Sequence, residues 1–295
     1  MGKITLRKRQ MMIGYLFILP FVFFILFTNI GPVIYSFIGS FFSYSLTGTS
    51  HFVGFNIYKD VFADQNFWSS LKNTGLYAII SIPVEIAISL FVAVLLSYNI
   101  NSKLKTTFKA IYFLPIITSF VAAGFIFKWA YDTLHGPLNQ ILVNMGLPKI
   151  MFLTNMNTVI PSIAAVNVWM RIGFAMIIFL AGLEGIPEIY YEAAMIDGAS
   201  KWKVFTKITL PLLNPQIVMV VIIETLVVLK IFDLPYVMTS GGPAGKSMSI
   251  IYHIYETGFT RGRMEYAMAM SIILIIIIVI INLIQWIAIK RNVEY

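Results

Sequence analysis

The sequence contains no cysteine, which excludes disulfides, thiol nucleophiles and cysteine-bound metals. Charge is nearly as scarce. Asp, Glu, Lys and Arg make up 12% of the residues, against about 25% in an ordinary soluble domain. The three histidines, His51, His135 and His253, are isolated from one another and offer no metal-ligand spacing. Nothing pairs a nucleophile with a base, or two carboxylates with each other, in a catalytic arrangement. What fills the chain instead is apolar: 59% of its 295 residues, with a mean hydropathy of +0.84. Only lipid can cover that much apolar surface, so soluble, disordered and collagen-like classes fall together. The sequence is that of an integral membrane protein.

About 30 Å of hydrocarbon needs roughly 20 helical residues. Six nearly uncharged runs approach this length: Met11–Phe27, Thr74–Leu96, Ala110–Phe127, Ile160–Leu183, Leu212–Leu234 and Ala267–Ile289. Solid blocks rule against a β-barrel, whose strands would alternate over about 10 residues. The expected fold class is therefore all-α, a single domain of six transmembrane helices over residues 1–295. Lys3, Arg7, Lys8 and Arg9 precede the first run, but no small-residue cleavage pattern follows it, so it reads as a retained signal-anchor span. Residues 28–58 carry no charge. They are expected to extend the first helix and then lie along the membrane face, with an interfacial helix over Phe52–Leu71.

The placement of Lys and Arg sets an orientation. The N-terminus, the 98–109 loop, the 183–211 loop and the C-terminal tail hold 12 of the 21 basic residues, whereas the longer flanks between them hold 7. Both termini and the 183–211 loop are thus expected in the cytoplasm. The net charge of +8 is on this reading a topology signal, with no need of nucleic acid as a partner.

The 183–211 loop is the most informative segment. Pro187 suits the first position of a helix, Gly198 the left-handed residue that ends one, and Ser200 the cap of the next. That second helix should carry Trp202, Phe205 and Ile208 on one face before Pro211 bends the chain into the fifth span. The spacing E-A-A-x3-G-x9-I-x-L-P is met at Glu192, Ala193, Ala194, Gly198, Ile208, Leu210 and Pro211. It resembles the signature loop of the permease subunits of bacterial binding-protein-dependent ABC importers. Phe52–Asn56, Asn73-Thr74, Trp169–Gly173 and Gly241-Gly242-Pro243 look like features of the sugar-type branch, the maltose and glycerol-3-phosphate permease group. Within it the chain is similar to the partner that carries the outer Gly-Gly-Pro turn.

The resemblance implies the type I importer permease fold in the bacterial cytoplasmic membrane. It also implies a second homologous permease, two cytoplasmic ATPase subunits and an extracytoplasmic solute-binding protein. ATP and Mg would belong to the ATPase, and this chain would bind no cofactor. Glu192 would make the polar docking contact in a loop that includes Asp197. Gly198 would supply the bend, and Ile208, Leu210 and Pro211 the anchorage to the bundle. An ion-coupled secondary transporter is the alternative, but it would leave the elbow unexplained and usually shows inverted repeats.

Two further features carry expectations. Ser240–Ser247 comes within one residue of a phosphate-binding P-loop, yet no strand precedes it. The Gly241-Gly242-Pro243 turn reads instead as facing the binding protein. Glu85, Arg171 and Glu224 fall near the midpoints of three spans, with Asn167 one turn from Arg171. Charge at that depth costs about 2.5–3.5 kcal/mol on insertion scales. These four residues either line a solute path or form a buried ion pair that fixes packing. Lys230 and Asp233, three apart, are expected to pair locally or to reach the headgroups.

Overall fold

The computed structural model describes residues 6–44, 50–97 and 102–290; Lys3 and Arg291 of the charge count lie outside them. Helix α1 (Leu6–Ile25) passes through a π turn, Leu26–Ile30, into α2 (Gly31–Gly39). Strands β1 (Phe42–Tyr44) and β2 (Ser50–Phe52) precede α3 (Asn56–Ala63), α4 (Gln65–Ser97), α5 (Ser102–Ile117) and α6 (Phe120–Ala130). Next come α7 (Pro137–Asn144), α8 (Val159–Glu184), α9 (Ile189–Ile196) and α10 (Lys201–Val204). A second π turn, Phe205–Thr209, leads into α11 (Leu210–Leu212), followed by α12 (Asn214–Val228) and α13 (Asp233–Thr239). Helix α14 (Ile250–Tyr255), a third π turn (Glu256–Thr260) and α15 (Met264–Lys290) complete the chain. Among the described residues, four helical stretches are long and apolar enough to cross a membrane, and two bent pairs raise the number to six if each is one span.

The chain divides into two compact units, residues 1–64 with 254–276 and residues 65–253 with 277–295. In the first, α1 and α2 extend the expected run through Gly39. The expected interfacial helix is shorter than Phe52–Leu71, because Asp64 turns extended and ends α3. Ile57 and Val61 are buried beneath α3, and Phe41 packs edge-on against Phe55. The β1–β2 pair, with Phe42 opposite Phe52, departs from the all-helical expectation. Ladder hydrogen bonds satisfy the backbone of Phe42–Tyr44 and Ser50–Phe52 outside any helix.

The second unit is built on α4 and α8. Helix α4 turns its polar side inward: Ser70, Asn73, Thr74, Tyr77, Ser81, Glu85 and Ser89 recur at helical spacing and are all buried, while Ile79 and Phe91 are exposed. In lipid this inside-out amphipathicity is the expected polarity, since apolar residues gain nothing by leaving the hydrocarbon. One buried cluster joins Tyr77, Ile163, Val166, Val228 and Leu234. Another joins Ala93, Met176, Phe179, Leu213 and Val220. Close approach of α5 to α8 depends on Gly173, where an added Cβ would lie 2.0 Å from the Tyr112 carbonyl oxygen.

Two of the expected spans are bent. The Ala110–Phe127 run is no single rod, since α5 and α6 meet at 97°. Ser119 is extended and caps α6, its Oγ accepting from the Val121 N–H, and Pro115 withholds a donor from the last turn of α5. The Leu212–Leu234 run holds one long helix, Asn214–Val228, which follows a 63° bend from the preceding helix and breaks before α13 begins at Asp233. The break beyond Val228 separates Lys230 from Asp233, and no ion pair joins them among the described residues.

Candidate functional site

The 183–211 loop forms a two-helix elbow. Its first helix starts at Ile189 rather than Pro187, whose carbonyl accepts from the Tyr190 N–H in the entering turn. Gly198, at φ +70°, ends it. The Gly198 N–H donates to the Met195 carbonyl and the Ala199 N–H to the Ala194 carbonyl, the paired bonds of a Schellman stop. Ser200 then caps α10, its Oγ accepting from the Lys203 N–H at 3.4 Å. Tyr191 and Thr209 hydroxyls, 3.3 Å apart, tie the two arms. Ala194 is buried, Glu192, Ala193, Asp197 and Pro211 line the outer surface to differing degrees, and Ile208 and Leu210 are half or more buried. Phe205 turns partly inward with Ile208 but Trp202 does not: the π turn interrupts the face they were expected to share. The elbow instead exposes Ile189, Tyr190, Met195, Ile196 and Trp202, with Ile196 at 87%.

Two sequence features meet at the Gly-Gly-Pro turn. Asn73 Nδ2 donates to the carbonyls of Gly245 (3.0 Å) and Met248 (3.1 Å). Thr74 Oγ1 accepts from the Ile250 N–H at 2.8 Å, and Tyr77 OH donates to the Ser247 carbonyl at 3.0 Å. Within the turn, Ser247 Oγ donates to the Gly242 carbonyl at 2.7 Å. Helix α13, not a strand, leads into it, so the strand–loop–helix geometry of a P-loop is missing. Gly242 and Pro243 line a groove of about 420 Å³ with Lys128, Tyr131, Asp132 and Thr239. Backbone N–H groups of His135 and Leu134 hold the Asp132 carboxyl below the usual carboxylate range.

Three of the four candidate path residues come together. Arg171 Nε lies 3.0 Å from Glu224 Oε2, and its Nη2 bonds Oε1 of the same carboxylate. The guanidinium also covers the Phe174 ring, 4.7 Å from its centroid. Glu85 is fully buried and lies within electrostatic reach of both Glu224 and Arg171. The fourth, Asn167, stands apart. It is 1% exposed, its Nδ2 has no partner among the described residues, and it lines a cavity of about 230 Å³. Phe120, Lys230, Phe232 and Asp233 share that cavity. Lys230 and Asp233 are expected from the sequence to pair locally or to reach the headgroups; the signal available for a shared cavity is two charges inside an otherwise apolar run.

Residues 85–292 match the family described as binding-protein-dependent transport system inner membrane component. The probable ABC transporter permease protein YurN of Bacillus subtilis is 30% identical over 97% of this chain and 99% of its own length. The sulfoquinovosyl glycerol transport system permease protein SmoG of Agrobacterium fabrum is 33% identical, covering 80% and 76%. The arabinooligosaccharides transport system permease protein AraP of Bacillus subtilis is 33% identical, covering 92% and 86%. Among solved structures, a chain of a bacterial alginate ABC transporter in complex with an alginate pentasaccharide-bound periplasmic protein superposes with a TM-score of 0.84. It is 23% identical, and 96% of each chain is covered.

The family match and the superposition thus define a multi-pass inner-membrane subunit of a transport system, with the type I ABC importer permease fold. The chain belongs to the family of binding-protein-dependent transport system inner membrane components. It is a transporter subunit and not an enzyme.

Proposed function

We propose that this chain is one membrane subunit of an ATP-driven importer for a carbohydrate or related polyol delivered by an extracytoplasmic binding protein. The exposed apolar elbow carries the ATP-driven part of this reading. Five large apolar side chains face outward from a loop whose lysines and carboxylates mark it as water-facing, and a partner protein would cover them. A cytoplasmic ATPase fits that place, with ATP and Mg held on its own chain and none bound here. Both termini share the cytoplasmic side, as the basic residues favour. A second, similar permease and a pair of ATPase subunits complete the assembly.

The carbohydrate reading is supported by the Asn167 cavity. Sugar hydroxyls both donate and accept, and their ring faces pack on aromatics. The cavity offers an amide Nδ2 without a partner among the described residues, an ammonium, a carboxylate and the rings of Phe120 and Phe232. Relatives named for sulfoquinovosyl glycerol, arabinooligosaccharides and trehalose/maltose add weight to it. The Gly-Gly-Pro turn, clamped by Asn73, would face the binding protein.

Extraction of the tagged chain from its host membrane in mild detergent tests the proposal. A co-purifying ATPase is expected, with hydrolysis stimulated by the solute-loaded binding protein. Absence of any ATPase, or association unchanged after Ile196→Glu, would overturn it.

A further inference from the structure

A second polar cavity lies within the first compact unit. Its volume is about 270 Å³, and its lining includes Asp60, Asp64, Thr257, Arg261, Arg263 and Tyr266. Tyr266 OH donates to Asp60 Oδ2 at 2.8 Å, and the Arg263 guanidinium covers the Tyr266 ring at 3.6 Å. Arg261 Nη2 is 3.3 Å from Glu256 Oε2. Thr257 is 5% exposed, and its Oγ1 has no hydrogen-bond partner among the described residues. A buried hydroxyl without a partner is the atom that a ligand would satisfy.

The signs of charge narrow the ligand. A simple anion would meet Asp60 and Asp64, and a metal ion would meet two guanidinium groups. A molecule carrying both signs suits both sets. Depth narrows it further. The apolar stretch of α15 starts beside the cavity, and α3 and the residue before it expose Phe62 and Phe55, so the site falls at the level where aromatic and charged groups meet lipid headgroups.

We infer that this cavity binds the headgroup of a phospholipid carrying a primary ammonium, the phosphatidylethanolamine type. The ammonium would donate to Asp60 and Asp64. The phosphodiester would accept from Arg261, Arg263 and the Thr257 hydroxyl, and an acyl chain would run down α15 over exposed Ile275 and Ile276. The inference needs only that the chain lies in a bilayer. It does not depend on the solute or on the ATPase.

The test uses the complex reconstituted in nanodiscs of equal parts phosphatidylethanolamine, phosphatidylcholine and phosphatidylglycerol, re-extracted and examined by native mass spectrometry. Retained lipid should favour phosphatidylethanolamine. Asp60→Asn should cut that preference about tenfold, the scale of a lost charge-assisted hydrogen bond, and Arg263→Gln and the near-isosteric Thr257→Val should cut the total lipid retained by a similar factor. Unchanged melting in lipid-free detergent shows that the variants fold, and Thr257→Val keeps the test open if a charge variant does not. Equal retention of phosphatidylcholine, a preference for phosphatidylglycerol, or variants that retain lipid like the parent would overturn the inference. So would saturation by soluble glycerophosphoethanolamine with no lipid retained, which would assign the cavity to a free headgroup. Weakened binding of the solute-binding protein with lipid retention unchanged would overturn it too, and make the cavity part of a protein interface.

Discussion

Arg171 and Glu224 meet in a two-point ion pair, Nε to Oε2 at 3.0 Å, with Glu224 fully buried. The pair lies between two apolar clusters. Val166 and Val228 belong to one, Ala175 and Val220 to the other, and these residues flank Arg171 and Glu224 along α8 and α12. The two charges therefore join helices at a level between two apolar layers.

Removing one partner should be worse than removing both. Arg171→Met or Glu224→Gln alone leaves a buried charge without its counter-ion, at about 3–5 kcal/mol. The double variant should regain much of that loss. Melting temperature and membrane yield of the singles and the double measure it. If solute affinity falls in the double variant while stability recovers, the pair also lines the path.

Gly173→Ala should be among the most damaging small substitutions. The new methyl meets the backbone carbonyl of Tyr112 rather than a movable side chain, so α5 and α8 must separate. Overpacking of this kind costs about 1–3 kcal/mol or more. Reduced folded yield is expected, while Gly146→Ala, which meets nothing within 4 Å, should show only the smaller strain of its positive φ.

Asn73→Asp should loosen the Gly-Gly-Pro turn. The substitution removes the two N–H donors that bind Gly245 and Met248 and brings a carboxylate against their carbonyls. A loss of about 1 kcal/mol follows for partly buried carbonyls left without their donors. Limited proteolysis near residues 240–248 should speed up, and stimulation by the binding protein should weaken with the chain still present in the membrane.

Asn167→Ala should raise the solute concentration needed for half-maximal uptake without lowering membrane yield. Its amide Nδ2 bonds nothing in the described protein, so truncation removes no internal hydrogen bond donated by that atom. A hydrogen bond to solute is worth about 1 kcal/mol, or several-fold in affinity. Uptake kinetics set beside membrane abundance provide the check. A fall in abundance alone would mean that Asn167 packs rather than binds.

Much of this architecture was legible in one dimension. The apolar runs that end at Leu96 and Leu183 stop within a residue or so of α4 and α8, because helix and apolar run both give out where polar residues begin. The elbow was legible as well. Gly198 and Ser200 do in the structure what their local chemistry predicts, since helix stops and caps involve neighbours a few residues away. The bend at Ser119 was not, because Pro115 and two hydroxyl residues are tolerated inside many membrane helices. Whether the chain breaks there depends on what packs beside it.

Composition and local pattern were enough to establish that the chain is a bundle of membrane helices, where the elbow lies, and which few residues carry charge inside the spans. Hydropathy, charge asymmetry and caps are local properties, summed along the chain. Only the tertiary structure decided that Arg171 pairs with Glu224 and not with another acid, that Asn73 and Thr74 hold a turn some 170 residues away, and that Lys230 and Asp233 share a cavity with Asn167. Each of these rests on which helix faces come together. That depends on close approach at residues such as Gly173 and on buried polar groups finding partners, conditions that no local pattern contains.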